Sequence, residues 1–131
     1  MALLPVTLAA AAAAAIFNIW LMVRIGAVRS NSKVFVGDGG DEAVVRRMRA
    51  QANFVENTPF VLILVAVIEL ADKGGTWLPY VAGVFILARV AHAFGMDGGS
   101  FAKGRMVGTI VSMLTLIGLA VVAALIAAQV I

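Results

Sequence analysis

Long apolar stretches alternate with short polar segments along the whole chain. The apolar stretches predict helices at about residues 3–27, 43–71, 77–94 and 106–129. A bilayer core about 30 Å thick takes roughly 20 helical residues per crossing, so each stretch can span a membrane. Because the segments between them are short, the pattern predicts one all-α membrane domain over residues 1–131, built as a four-transmembrane-helix bundle.

The first apolar stretch has two interpretations, a cleaved signal peptide or a retained membrane helix. A signal peptide carries positive charge before its apolar core. Here the first basic residue is Arg24, which follows the apolar residues. The order of charge and apolar residues therefore predicts a retained first helix.

Composition supports the membrane assignment and excludes several kinds of chemistry. With 63% hydrophobic residues, the chain of 131 residues has more apolar surface than a soluble domain of that size buries. We therefore expect membrane lipid as its surroundings, and an oligomer, because four spans alone form little core. The absence of cysteine excludes a thiolate metal site and a cysteine nucleophile, so any reacting thiol must come from a ligand. One histidine among scattered carboxylates predicts no metal site, and no nucleic-acid partner is expected.

Basic residues are concentrated at one side of the predicted bundle. Lys73 alone lies in the connection between the second and third helices. The others lie at or beside the first-to-second and third-to-fourth connections: Arg24, Arg29, Lys33, Arg46, Arg47, Arg49, Arg89, Lys103 and Arg105. The positive-inside tendency predicts that this side faces the cytoplasm and that both termini lie outside it. The small size and short loops fit a bacterial inner membrane.

A polar stripe is predicted on the second helix. Arg46, Arg49, Asn53 and Glu56 follow a spacing of three, four and three residues, which places them on one helix face. Several guanidinium groups near a single carboxylate suit a small zwitterionic ligand with more negative than positive charge. The stripe is therefore a candidate wall of a polar ligand site.

The same residues also have structural interpretations. Basic residues near the headgroups can serve only as topology determinants, which applies to Arg29, Arg47 and Lys103. Glu56 can form a structural ion pair with Arg49 or Arg89 inside the bundle. His92 can be a satisfied core histidine. These alternatives stay open at the level of sequence.

Two segments resemble a known family. Residues 49–59, Arg-Ala-Gln-Ala-Asn-Phe-Val-Glu-Asn-Thr-Pro, resemble the signature Arg-Ala-Gln-x-Asn-x-x-Glu-x-x-Pro of the membrane-associated proteins in eicosanoid and glutathione metabolism, or MAPEG. Residues 89–92, Arg-Val-Ala-His, are similar to the Arg-x-x-His segment of that family's third helix. The family includes microsomal glutathione transferases and the leukotriene- and prostaglandin-forming synthases. The lengths of the four predicted spans also agree, so the resemblance covers nearly the whole chain.

The resemblance implies a homotrimer that holds glutathione, its co-substrate, between subunits on the cytoplasmic side. It assigns glutathione binding to these positions: Arg29, Arg49, Gln51, Asn53, Glu56, His92 and, as a supporting residue, Arg89. Arg105 matches the arginine that holds the thiol as thiolate, and a nearby cation does lower a thiol pKa from about 8.5 toward neutrality. The implied activity is a membrane-bound glutathione transferase, or a peroxidase, that acts on lipophilic electrophiles from the bilayer.

The chain departs from the family pattern at two positions. Met96 replaces a common tyrosine, and Met106 replaces the serine that follows the fourth-helix arginine in prostaglandin-forming members. Eicosanoid synthesis is therefore not supported, and thiol activation rests on Arg105, with Thr109 or Ser112 as candidate helpers. The departures also motivate an alternative, a catalytically silent membrane protein of the same fold. A small exporter ranks last, because the first helix has no carboxylate to exchange protons.

Overall fold

The computed structural model describes residues 2–131 and consists of four long helices joined by short connections. They are α1 (Pro5–Ser32), α2 (Glu42–Leu70), α3 (Leu78–Met96) and α4 (Lys103–Ala127). A short 3₁₀ turn, Gly99–Phe101, precedes α4. All four helices are long and apolar enough to cross a membrane, which confirms the all-α membrane architecture. The most extensive helix contacts are α3 with α4 and α1 with α2.

The bounds of two helices differ from the prediction. α1 continues to Ser32 instead of ending near residue 27, so Arg29 lies in its last turn and not in a loop. Val28 is buried against the bundle there, and this contact outweighs the turn preference of the Ser-Asn-Ser sequence that follows. Lys33 then ends the helix in a left-handed conformation, φ 55°. α4 begins at Lys103 and ends at Ala127, shifted toward the N-terminus from the predicted 106–129.

The connection between α1 and α2 is held by local side-chain hydrogen bonds. Asp41 is the N-cap of α2, and its side chain accepts a hydrogen bond from the backbone N–H of Val44 at 3.1 Å. The Ser32 hydroxyl and the Val44 N–H lower the pKa of Asp41 below its ordinary value, because both stabilise the carboxylate. Asp41 therefore stays ionised at neutral pH, where a negative charge favours a helix N-terminus.

α4 packs on α3 through a face of small and polar residues. The buried residues of this face are Gly104, Gly108, Ser112, Thr115 and Leu119. A β-carbon on Gly108 would lie 2.5 Å from the carbonyl oxygen of Ala88, so the two backbones are in contact there. Small residues allow membrane helices to approach closely in this way.

Gly95 marks a second close approach between α3 and α4. A β-carbon at this position would overlap the backbone nitrogen of Arg105 and lie 2.6 Å from the carbonyl carbon of Gly104. Only glycine fits this contact. The last turn of α3 therefore directly limits where α4 begins and where Arg105 is placed.

The interior contains two apolar clusters with a polar layer between them. One cluster includes Phe17, Phe54 and Ala93, and the other includes Phe85 and Leu119. α3 contributes Ala93 to the first cluster and Phe85 to the second, and Arg89 lies between these two residues on the helix. We call the half of the bundle that contains the ends of α1 and α3 and the starts of α2 and α4 the basic end.

Glu69 joins α2 to the start of α1 at the opposite end. Its carboxylate accepts hydrogen bonds from the backbone N–H groups of Val6 at 2.8 Å and Thr7 at 2.9 Å, and from the Thr7 hydroxyl at 2.7 Å. The N-cap of α1, Leu4, offers no side-chain cap of its own. The first N–H groups of a helix need an acceptor. Glu69 supplies this acceptor from another helix.

Glu69→Gln is expected to destabilise the bundle. The amide has one acceptor oxygen in place of two and carries no charge, so the free energy of unfolding should fall by about 1–2 kcal/mol. Unfolding by increasing sodium dodecyl sulfate, followed by circular dichroism, measures this change. Asp72→Asn is the matched control, since Asp72 is exposed at the same end. Equal stability of the two variants would contradict a capping role for Glu69.

Candidate functional site

The centre of the polar layer is Arg89, whose residue is 1% exposed. Its Nη1 donates to the Ser112 hydroxyl at 2.9 Å, and its Nη2 donates to Asn53 Oδ1 at 2.5 Å. Nη2 also lies 3.3 Å from Nδ1 of His92, one turn further along α3. Because a guanidinium only donates, His92 Nδ1 accepts and the ring proton belongs on Nε2. Arg89 thus connects α2, α3 and α4.

Arg89 has no carboxylate partner among residues 2–131. The ion pairs in this part of the chain involve other arginines, and the Nε of Arg89 is buried without a hydrogen-bond partner. Charged groups within a membrane are costly unless they pair or face a cavity. Amide, hydroxyl and imidazole groups compensate this cation instead.

The polar stripe of α2 divides between the interior and the surface. Asn53 is half-buried and contacts Arg89, whereas Arg49 and Glu56 are exposed. No Lys or Arg nitrogen of the described chain lies within ion-pair distance of Glu56. The proposed structural ion pairs of Glu56 with Arg49 or Arg89 are therefore not formed within the described chain. An open charged surface remains beside the buried Arg89.

Two other predicted site residues make contacts inside the subunit. Gln51 donates from Nε2 to Oδ1 of Asn18 on α1 at 3.2 Å. Arg29 donates to the carbonyl oxygens of Val34 at 3.1 Å and Gly37 at 2.6 Å, so it holds the α1–α2 connection. Sequence reasoning did not include Asn18 in the site. A lone amide within the first apolar span was the available signal.

Arg105 lies exposed on the first turn of α4 at the basic end. It lines a cavity of about 400 Å³ together with Glu42, Val45, Arg46, Gly95, Met96 and Ala102. The Thr109 hydroxyl donates to the Arg105 carbonyl at 2.9 Å, and the Ser112 hydroxyl donates to the Gly108 carbonyl at 2.8 Å. Both candidate helper hydroxyls are therefore engaged by their own helix.

A charged cluster that we name the Asp97 cluster, formed by Arg24, Arg47 and Asp97, lies nearby. Arg24 Nη2 donates to the Asp97 carboxylate, and Arg47 Nε lies 3.6 Å from it. The Arg24 guanidinium also lies over the rings of Trp20 at 4.7 Å and Phe94 at 5.3 Å. Arg47 was interpreted from sequence as a topology determinant, and Asp97 was not singled out. The structure gives both a role in joining helices.

The structure offers no metal site in its described part. No group of three or more His, Cys, Asp or Glu side chains is placed to hold a metal ion in residues 2–131. The charged groups of the basic end suit an organic ion with carboxylates and an ammonium group.

The comparison with protein families agrees with the resemblance seen in the sequence. The model of the MAPEG family matches residues 7–125. No curated protein and no solved structure matches the chain. The family match includes α2 and α3 in full, α1 from residue 7, α4 to residue 125, and every residue of the candidate site. The chain is thus an integral multi-pass membrane protein that belongs to the MAPEG family, a family of glutathione and eicosanoid metabolism.

Proposed function

We propose that this protein is a glutathione-dependent transferase that acts on lipophilic electrophiles, and a peroxidase when the electrophile is a hydroperoxide. The observation that carries this proposal is the exposed charge of Arg49, Glu56 and Arg105 on helices of a membrane protein. Charges on the membrane-spanning part of such helices are costly unless they pair or face a cavity. Glutathione, with two carboxylates, one ammonium group and a thiol, matches them in chemical type.

Each exposed group has a role in this proposal. Arg49 binds a glutathione carboxylate, since a guanidinium donates two parallel hydrogen bonds to it. Glu56 accepts from the ammonium group. Arg29 and Gln51 complete the binding surface, at the positions to which the resemblance in the sequence assigns glutathione binding.

The buried residues orient the exposed ones. Asn53 Oδ1 faces Arg89, so its Nδ2 group is left to donate to the ligand. Arg89 and His92 are 1% and 3% exposed. Arg89 therefore supports the site by holding Asn53 in one orientation, and His92 supports it by contacting Arg89.

Arg105 activates the thiol in this proposal. A fixed guanidinium stabilises the thiolate over the thiol and brings its pKa toward neutrality. The thiolate then attacks the electrophile without a protein base. The Thr109 and Ser112 hydroxyls both donate to backbone carbonyls, which leaves Arg105 as the activating group.

We also propose the assembly and orientation that the family implies. A homotrimer would cover Arg49 and Glu56 and place glutathione between adjacent subunits. The basic end faces the cytoplasm by the positive-inside tendency, and both termini lie on the other side, in a bacterial inner membrane. The lipophilic electrophile reaches the thiolate from the bilayer.

A second candidate is a catalytically silent member that binds glutathione. Met96 packs against the apolar cluster of Phe17 and Phe54, so no tyrosine hydroxyl stands at the family position. This candidate predicts binding of glutathione without formation of the thiolate.

Arg105→Ala is expected to abolish thiolate formation near neutral pH. Loss of the proposed activating cation should reduce conjugation of a lipophilic electrophile by about 100-fold or more. The measurement is titration of the detergent-purified protein with glutathione, following the ultraviolet absorbance of the thiolate.

Lys103→Ala is the matched control, because Lys103 is an exposed cation in the same turn of α4. A thiolate signal that persists in Arg105→Ala would contradict the role of Arg105. Binding without thiolate in the unmodified protein would instead favour the silent candidate, and no binding would contradict both.

A further inference from the structure

The end of α3 is held by arginines from two other helices. The Asp97 carboxylate follows α3 directly and is contacted by Arg24 from α1 and Arg47 from α2. Arg24 Nη1 also donates to the carbonyl oxygen of Ala93 at 3.4 Å, and Arg46 Nη1 donates to that of Met96 at 3.2 Å. The last carbonyls of a helix lack partners within the helix and attract cations. The Asp97 cluster and Arg46 therefore act together on one short segment.

A further contact joins α1 to α2 within the same cluster. Arg47 Nη1 donates to the backbone carbonyl of Arg24 at 2.8 Å. Asp97 thus lies between two arginines whose own helices are already connected. Its position is defined relative to both α1 and α2, since each arginine is held by more than one contact.

The segment fixed in this way is the one that contacts the start of α4. Gly95 lies two residues before Asp97, and its Cα leaves no room for a side chain beside the Arg105 backbone. A displacement of the last turn of α3 must therefore displace the first turn of α4. Residues 97–102, which include the short 3₁₀ turn, connect the two helices. Gly98 and Gly99 in this connection both have positive φ.

We infer that Asp97 is a positioning residue for Arg105. By anchoring the end of α3 to α1 and α2, Asp97 determines where α4 begins and hence where the Arg105 guanidinium stands. The inference rests on the proposed function for its catalytic consequence. The geometric part, an Asp97-dependent position of α4, is independent of glutathione.

Asp97→Asn separates positioning from a direct effect of charge. The charged groups that face Asp97 are Arg24 from α1 and Arg47 from α2. Removing a nearby negative charge would, by itself, favour a thiolate and lower its midpoint pH. Loss of positioning moves Arg105 away from the sulfur and raises the midpoint. A direct charge effect therefore lowers the midpoint pH of thiolate formation in Asp97→Asn, whereas a loss of positioning raises it.

We expect the midpoint pH of thiolate formation in Asp97→Asn to rise by about one pH unit. At a fixed pH below the midpoint, this shift corresponds to a roughly tenfold loss of thiolate. Asp97→Glu, which keeps a carboxylate, should restore part of the loss. Asp72→Asn, the same change at the opposite end, should leave the midpoint unchanged. An unchanged or lowered midpoint in Asp97→Asn would overturn the inference.

A spin label on α4 tests the geometric part by itself. The chain contains no cysteine, so Met106→Cys, a position 58% exposed in the first turns of α4, accepts one label. Adding Asp97→Asn should increase the mobility of this label, while a label at Val130→Cys should not change. Equal mobility at Met106→Cys with and without Asp97→Asn would overturn the inference even if the unmodified protein forms no thiolate. Absence of thiolate with a mobility change would overturn only the proposed function.

Discussion

Gly95→Ala is expected to reduce glutathione thiolate formation at least tenfold and to lower the thermal stability of the bundle. The added methyl group would overlap the Arg105 backbone nitrogen. Overpacking of an interior costs about 1–3 kcal/mol, and here the obstacle is backbone rather than a flexible side chain. The strain can be relieved only by separating α3 from α4, which moves Arg105. Thiolate absorbance and thermal unfolding in detergent measure the two effects.

Gly83→Ala is the control for this substitution. Gly83 also lies in α3, and a β-carbon there would have no atom within 4 Å outside its own helix. Alanine has the higher helix propensity, so this variant should be as stable as the unmodified protein or slightly more stable. A Gly95→Ala variant that behaves like Gly83→Ala would show that the α3–α4 contact does not determine the position of Arg105.

Arg89→Met is expected to weaken glutathione binding by about 10- to 100-fold while changing the stability of the bundle much less. Arg89 holds Asn53 Oδ1 through a charge-assisted hydrogen bond, which leaves Asn53 Nδ2 to donate to a charged group of glutathione. A hydrogen bond to a charged group is worth about 1.5–3 kcal/mol. Without Arg89 the amide no longer presents its donors in one orientation. The free energy of unfolding should change less. Arg89 is a buried cation without a carboxylate partner, and replacing it with methionine also removes the cost of burying that charge.

Isothermal titration with glutathione and unfolding in sodium dodecyl sulfate measure the two quantities for Arg89→Met. Lys73→Met is the control, since Lys73 is an exposed cation at the opposite end. An unchanged affinity in Arg89→Met would show that Asn53 does not depend on Arg89. A large loss of stability at unchanged affinity would make Arg89 a purely structural residue.

The four helices were predictable because a lipid bilayer permits few backbone conformations in a segment that spans it. A spanning segment must satisfy its backbone hydrogen bonds internally, so a long apolar stretch in lipid is a helix. The end of α1 was less predictable. Ser30, Asn31 and Ser32 favour turns in isolation, but the buried Val28 keeps the helix intact to Ser32.

The residues of the candidate site were proposed from helical spacing and from the family resemblance, and their geometry was only partly predictable. Helical spacing correctly grouped Arg89 with His92 on one face of α3. The same rule grouped Arg49, Asn53 and Glu56, yet a stripe of that width extends across the boundary between interior and surface. Periodicity predicts which residues share a face of a helix. Whether each of these residues is buried depends on how the neighbouring helices pack against that face.

Contacts between residues distant in the chain were outside the reach of local patterns. Asp97 appeared as an ordinary residue of a glycine-rich connection, because neither Arg24 nor Arg47 lies near it in sequence. The close contacts of Gly95 in α3 and Gly108 in α4 also join backbones that are distant in the chain or lie on different helices. Their exact partners, including the Arg105 backbone beside Gly95, depend on the fold.

The carboxylate that caps α1 has a consequence for how the protein is made. Val6 and Glu69 are separated by 63 positions, so the ribosome releases the first helix long before its acceptor exists. During synthesis, the leading turn of α1 must keep its N–H groups hydrated at the membrane surface until α2 has crossed. The cap of α1 is therefore completed only once α2 is in place, and a chain truncated before Glu69 is expected to leave the first N–H groups of α1 without this acceptor.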